Sequence, residues 1–313
     1  MGSDTGPNPN RQFYSFGRAA SGHYKNGVTP PDTGRTQPMP HFDLPAFWAN
    51  LHIDPLYVVS GLVVGLLVGL TGVGGGSLMT PILVLLFRVH PATAVGTDLL
   101  YAAITKTVGT AVHGSKRAID WKLVGLLALG SVPATLLTVY GVQHFGKPEA
   151  LSKIITLVLG YALFLTAVLL LLRGTLRRYA EKRQEETPET TGGAKRRAAL
   201  TVLTGLVLGF LVSLSSVGAG ALGVTALILL YPRLPTLRIV GSDIAHAVPL
   251  TFIAGMGYFA IGKVDTTMLV ALLIGSIPGI IAGSFLAPKL PEKALRVTLA
   301  VVLSLVGLKL VTA

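Results

Sequence analysis

Two glycine clusters interrupt the most apolar parts of this chain: Gly74, Gly75 and Gly76 within "TGVGGG" at 71 to 76, and Gly218 and Gly220 within "SSVGAG" at 215 to 220. Each glycine costs a helix about 1 kcal/mol relative to alanine, so such a cluster ends or breaks one. A helix restarting at Gly75 or Gly76, or near Ala219 or Gly220, presents free N–H groups and the positive end of its dipole, where anions bind. Glycine also lets an oxyanion approach the backbone closely. The hydroxyls of Thr71, Ser77, Thr97, Ser215, Ser216 and Ser242 could donate to such an anion, although most helix hydroxyls bond their own backbone. The bland alternative is that these glycines only allow close helix contact. That reading suits "GLVVG" at 61 to 65 and "VGLTG" at 68 to 72 better than the run at 74 to 76.

Few ionisable residues fall inside the apolar runs, and such residues are functional candidates by default. Lys106, central in "AAITKTVGT", would offset the charge of a bound anion; its central position weakens a snorkelling role. Asp98 and Asp243 lie about two turns inside their segments and are candidates for proton coupling. Holding backbone N–H groups at a helix break is an equal alternative for both. His246 follows Asp243 by one turn on the same helix face, so the two could relay a proton or merely make a polar contact between helices. His113, at the end of its segment, reads as interfacial.

The elements that must position these residues are apolar helices. Of 313 residues 51% are hydrophobic and 13% charged, with mean hydropathy +0.64; this is the composition of a polytopic membrane protein. The expected segments are 55–72, 76–88, 92–113, 122–144, 151–173, 199–216, 220–231, 237–261, 266–288 and 296–312. The second and seventh cover roughly 20 Å against a hydrocarbon core of about 30 Å, too short to span, and each follows a glycine break. They read as half-helices or re-entrant pieces.

The two breaks are related. In one register "VGGGS" at 73 to 77 falls on "VGAGA" at 217 to 221. After a slip of one residue "VGTDLL" at 95 to 100 meets "VGSDIA" at 240 to 245, Asp120 meets Asp265, and "GSVP" at 130 to 133 meets "GSIP" at 275 to 278. Four matches in the same order imply an internal duplication. The expected organisation is a polar disordered tail over 1–50, a first repeat over 51–173, a charged cytoplasmic linker over 174–198 and a second repeat over 199–313. Met39, inside the tail, is an alternative start of the native chain.

The 26 Lys and Arg against 14 Asp and Glu cluster in the connections, as membrane topology requires, without the interleaved aromatics of a nucleic-acid surface. Counting five apolar pieces per half places Lys116, Arg117, Lys122, Arg233, Arg238, Lys289, Lys293 and Arg296 on the linker's side, with the repeats inverted. Joining each short piece into one bent span makes the repeats parallel instead. There is no Cys, no His-x-x-x-His and no P-loop, so neither a metal site, a nucleotide cofactor nor an enzyme is expected.

An apolar helix ending in "GLTGVGGGSLMTPIL" and followed by "ATAVGTDLL", with a second copy reading "GFLVSLSSVGAGALGVTALILL" and "IVGSDIAHAVPLTFIAG", resembles the TauE/SafE sulfite exporter family, over about 55 to 312. The resemblance implies an all-α bundle in a bacterial inner membrane, a secondary transporter of sulfite or organosulfonates. Export is the expected direction, and the lipid bilayer and a homodimer the expected surroundings. The second copy departs from the glycine-rich pattern, with Ser215, Ser216, Ala219 and Ala221 where the first has Thr71, Gly72, Gly75 and Ser77. Two readings stay open beside this one: an importer of another small carboxylate or sulfonate, and a membrane scaffold that transports nothing.

Overall fold

The structure is a computed structural model and describes residues 54–71, 76–115, 118–145, 148–185, 191–286 and 292–312. The polar tail lies outside these, as do Gly74, Gly75 and the connections holding Lys116, Arg117 and Lys289. Ten α-helices and no strand occur among the described residues. They are α1 (Pro55–Thr71), α2 (Gly76–Leu85), α3 (Pro91–Ser115), α4 (Trp121–Phe145), α5 (Pro148–Glu185), α6 (Thr191–Ser215), α7 (Ala221–Leu230), α8 (Thr236–Ala260), α9 (Thr266–Leu286) and α10 (Glu292–Thr312).

Six helices are long and apolar enough to cross a membrane: α4, α5, α6, α8, α9 and α10. Leu129, Leu137, Phe164, Phe285 and Leu305 stand exposed on their outer surfaces. An apolar exterior of that kind suits hydrocarbon as solvent. The described residues of the charged linker are helical, because α5 continues to Glu185 and α6 begins at Thr191. Its sequence "RGTLRRYAEKRQEE" is built from strong helix formers, so the helix runs on past the last apolar residue.

Neither short helix continues the direction of the one before it. Tyr231, just after α7, meets Thr201 of α6 with its hydroxyl at 2.9 Å. The rings of Tyr57 near the start of α1 and Phe87 just after α2 lie 4.6 Å apart. Each short helix therefore returns its chain to the end of the bundle from which the preceding helix set out.

Close crossings hold the bundle together. Helix α1 lies along α9, and α6 along α4. A Cβ on Gly65 would lie 2.7 Å from Ser276 Cα, and one on Gly209 would lie 2.8 Å from Ser131 Cα. Only glycine allows backbones this close, which gains dispersion and Cα–H···O contacts where no hydrophobic force exists between helices in lipid. Helices α3 and α8 pack against each other, and α5 lies against α10.

Two loop aspartates tie the crossing helices in place. The Asp120 amide donates to Ser242 Oγ of α8 at 2.8 Å, and the Asp265 amide donates to Thr97 Oγ1 of α3 at 3.0 Å. Their carboxylates cap the helices that follow, Asp120 accepting from Lys122 and Leu123 and Asp265 from Met268. At the Asp120 end of the bundle, Lys122, Arg197 and Arg233 line one concavity, and Arg173, Arg177, Arg178 and Arg296 line another beside Thr236.

Candidate functional site

Where α6 ends, the backbone leaves helical geometry for the five residues before Ala221. Ser216 has φ 57°, and Gly218 and Gly220 both have φ 122°. At the glycines a side chain would be strained, so the turn depends on them. The Ser216 amide still bonds Val212 O at 2.7 Å, and the Val217 amide is taken by Ser215 Oγ at 3.2 Å. On the far side Leu222 and Gly223 donate to Gly218 O at 3.1 and 3.2 Å. The turn is fully inside the protein, as non-helical backbone at membrane depth must be.

Three charged side chains converge on this turn. Lys106 extends from α3 and donates from Nζ to the Ala219 carbonyl at 3.2 Å. It lies within electrostatic reach of both Asp98 and Asp243. Asp98, two turns before Lys106 on α3, accepts from Thr80 Oγ1 of α2, and the Ser216 hydroxyl faces it. Asp243 of α8 sits at the start of α7, with the Gly220 amide facing its carboxylate. A Cβ on Gly223 would collide with Asp243 Oδ1, so the absence of a side chain at Gly223 makes room for that carboxylate. Lys106 is 8% exposed and both aspartates 0%.

The place at the start of a half-helix where an anion is expected is thus occupied, in the second half, by a carboxylate of the protein itself. The dipole and free amides favour any negative group there, and Asp243 supplies one. Lys106 joins the two halves of the chain at this point. Removing one member of such a group would leave an uncompensated charge in a low-dielectric interior.

The other sequence candidates divide. Ser215 and Ser216 belong to the turn, and Ser77 is buried at the start of α2. Thr71 ends α1 and Gly76 opens α2, beside the undescribed Gly74 and Gly75. Thr97 and Ser242 do not join the charged cluster: their oxygens accept the loop amides described above, and Ser242 also donates to Arg238 O at 2.8 Å. His246 is held by a partner on α4, with Nε2 2.8 Å from Ser131 Oγ. No group of His, Asp or Glu among the described residues is arranged to hold a metal ion.

Sequence reasoning missed Thr80, Ser131 and Gly223, and placed Ala219 at the break without the role of its carbonyl. Gly223 had a signal, being a third glycine within "GAGALG". Ala219 acts through its carbonyl, which no residue type announces.

Residues 57–310 match the family described as Sulfite exporter TauE/SafE. The chain is 41% identical over 257 residues to Probable membrane transporter protein YjnA of Bacillus subtilis, covering 81% of this chain and 98% of that one. It is 27% identical over 259 residues to Probable membrane transporter protein YdhB of the same organism, covering 82% and 99%. It is 26% identical over 269 residues to Probable membrane transporter protein MJ0441 of Methanocaldococcus jannaschii, covering 81% and 94%. No solved structure matches the chain.

Proposed function

This chain belongs to the TauE/SafE family of membrane transporters, and we propose that it is a secondary carrier exporting small sulfur-containing anions, sulfite or organosulfonates, across a bacterial inner membrane. The observation that carries this reading is Lys106, a buried cation that spans the two halves of the chain and ends on the broken backbone of the second. A substrate oxyanion would take the place of a carboxylate beside Lys106 and the Gly218 and Gly220 turn, with Ser216 as a hydroxyl donor. On this reading Gly74, Gly75, Gly76, Ser77 and Thr71 form the matching cradle of the first half.

Two carboxylates already face the lysine, so adding an anion to the same space favours a proton arriving with it. Asp243 is the group on which we place that proton, with Asp98 held more firmly by Thr80. Coupling would then take the form of anion and proton moving together.

The halves are read as an inverted duplication. The duplication is supported by equivalent residues making equivalent contacts, and the inversion by each short helix returning its chain to the end from which the preceding helix set out. Gly65 meets Ser276 as Gly209 meets Ser131, Tyr57 meets Phe87 as Thr201 meets Tyr231, and Asp265 meets Thr97 as Asp120 meets Ser242. The basic end of the bundle faces the cytoplasm by the positive-inside rule. Inverted repeats around a central broken-helix site are a plan for alternating access.

Counterflow of radiolabelled sulfite in liposomes, with sulfate, taurine and sulfoacetate as competitors, tests the substrate class. Saturable exchange inhibited by sulfonates is the expected result. Failure of a folded protein to exchange any of these anions would remove the substrate assignment.

A further inference from the structure

Nδ1 of His246 is a buried polar atom with no hydrogen-bond partner among the described residues. The other ring nitrogen is taken, since Nε2 lies 2.8 Å from Ser131 Oγ of α4. Buried polar atoms are nearly always paired, so an unpaired one needs a reason.

The serine decides which nitrogen carries hydrogen. Ser213 and Ser242 turn their hydroxyls back to carbonyls of their own helices, at 2.6 and 2.8 Å. Among the described residues Ser131 makes no such bond, and its hydroxyl proton finds its acceptor at His246 Nε2. When Nε2 accepts that proton, the neutral ring carries its own hydrogen on Nδ1. A doubly protonated ring carries one there too. In either state Nδ1 is a buried donor without an acceptor.

Helix packing does not account for this second nitrogen. In the register that pairs Asp98 with Asp243, His246 falls on Tyr101 and Ser131 on Ser276. Tyr101 and Ser276 also face each other, and the tyrosine does so with a single polar atom. The imidazole lies within electrostatic reach of Lys106. A spare N–H beside a buried ammonium suits a partner that is both negatively charged and rich in acceptors.

We propose that His246 is a substrate ligand, its Nδ1–H donating to one oxygen of the bound anion while Lys106 holds another, with Ser131 fixing the ring. This rests on the carrier reading and narrows its substrate class to anions with at least two acceptor oxygens, as sulfite and sulfonates have.

The test is radiolabelled sulfite counterflow in liposomes with the full chain as wild type, His246→Gln, His246→Asn and Lys106→Ala, reading half-saturation and maximal rate separately. A glutamine amide reaches the place of Nε2 and keeps the Ser131 contact, whereas an asparagine amide stands at the place of Nδ1 and keeps the donor. The expected half-saturation concentration rises at least about tenfold in His246→Gln and stays within about threefold of wild type in His246→Asn. A role in packing predicts the reverse order, because only Gln keeps Ser131, and that result would overturn the proposal. Equal loss in both variants would do the same, since transport would then need the titratable ring and not its donor. Unchanged half-saturation in a folded His246→Gln, with exchange by the wild type and none by Lys106→Ala, removes His246 from the site and leaves the carrier reading standing. No exchange by the wild type removes both. If His246→Gln does not fold, solid-state NMR of isotope-labelled wild type takes its place: the Nδ1 resonance of the ring correlated with Ser131 is expected to shift on adding sulfite, and a resonance that stays in place overturns the proposal.

Discussion

Lys106 of the first half donates to the carbonyl of Ala219 in the second at 3.2 Å, inside the protein and beside two aspartates. That single contact places a positive charge at the one described stretch where the backbone of the bundle is irregular and its glycines have positive φ inside the apolar layer. It also makes the charge balance of the site a property of both halves together.

Replacing Lys106 by Met leaves Asp98 and Asp243 without their cation. Breaking a buried ion group in this way costs about 3–5 kcal/mol. We expect a lower melting temperature for Lys106→Met in detergent, partly restored when Asp243→Asn is added. Equal melting of the single and double variants would mean that Asp243 and Lys106 do not share an energy.

Gly223 is the floor on which the Asp243 carboxylate rests. Gly223→Ala drives a methyl into Asp243 Oδ1, whereas Gly109→Ala meets only Ile244 Cγ2 at 3.5 Å. The first substitution is expected to lower sulfite exchange at least tenfold while the second leaves it within about twofold. Both are read against the amount of folded protein by size-exclusion chromatography.

Thr80 is the fifth residue of α2 and Thr225 the fifth of α7, but the two are used differently. Thr80 Oγ1 donates to Asp98, while Thr225 Oγ1 donates to Ala221 O of its own helix at 2.7 Å. Losing a bond to a charged group costs about 1.5–3 kcal/mol, and losing a back-bond within a helix costs far less. Thr80→Val should therefore lower thermal stability clearly more than Thr225→Val.

The crossing of α4 and α6 depends on Gly209, whose Cβ would fall 2.8 Å from Ser131 Cα, whereas nothing lies within 4 Å of a Cβ on Gly125. Gly209→Val is expected to cost at least about 3 kcal/mol and to deplete the folded fraction. Gly125→Ala is expected to be neutral or to stabilise by up to about 1 kcal/mol. Fluorescence-detected size exclusion distinguishes the two.

Most of the helical framework could be read from the chain because hydropathy fixes what must lie in lipid. The short apolar piece expected over 76–88 is the helix Gly76–Leu85, and that over 220–231 is Ala221–Leu230. Asp98, Lys106 and Asp243 stood out because charge is costly among apolar neighbours, and they lie within electrostatic reach of one another. What escaped the reading depended on distance across the fold. Ser131 finds His246 over 115 positions and Ala219 finds Lys106 over 113, and neither residue differs in type from many others that touch nothing functional. Thr97 and Ser242 were selected for their hydroxyls, yet those hydroxyls accept loop amides because Asp120 and Asp265 come round to meet them.

The most direct measurement is radiolabelled sulfite counterflow in liposomes carrying equal amounts of folded wild type and Lys106→Ala. The account predicts saturable exchange by the wild type and its loss, by at least a hundredfold, in the variant. Exchange by Lys106→Ala at the wild-type rate would contradict the claim that the anion is carried at the buried lysine.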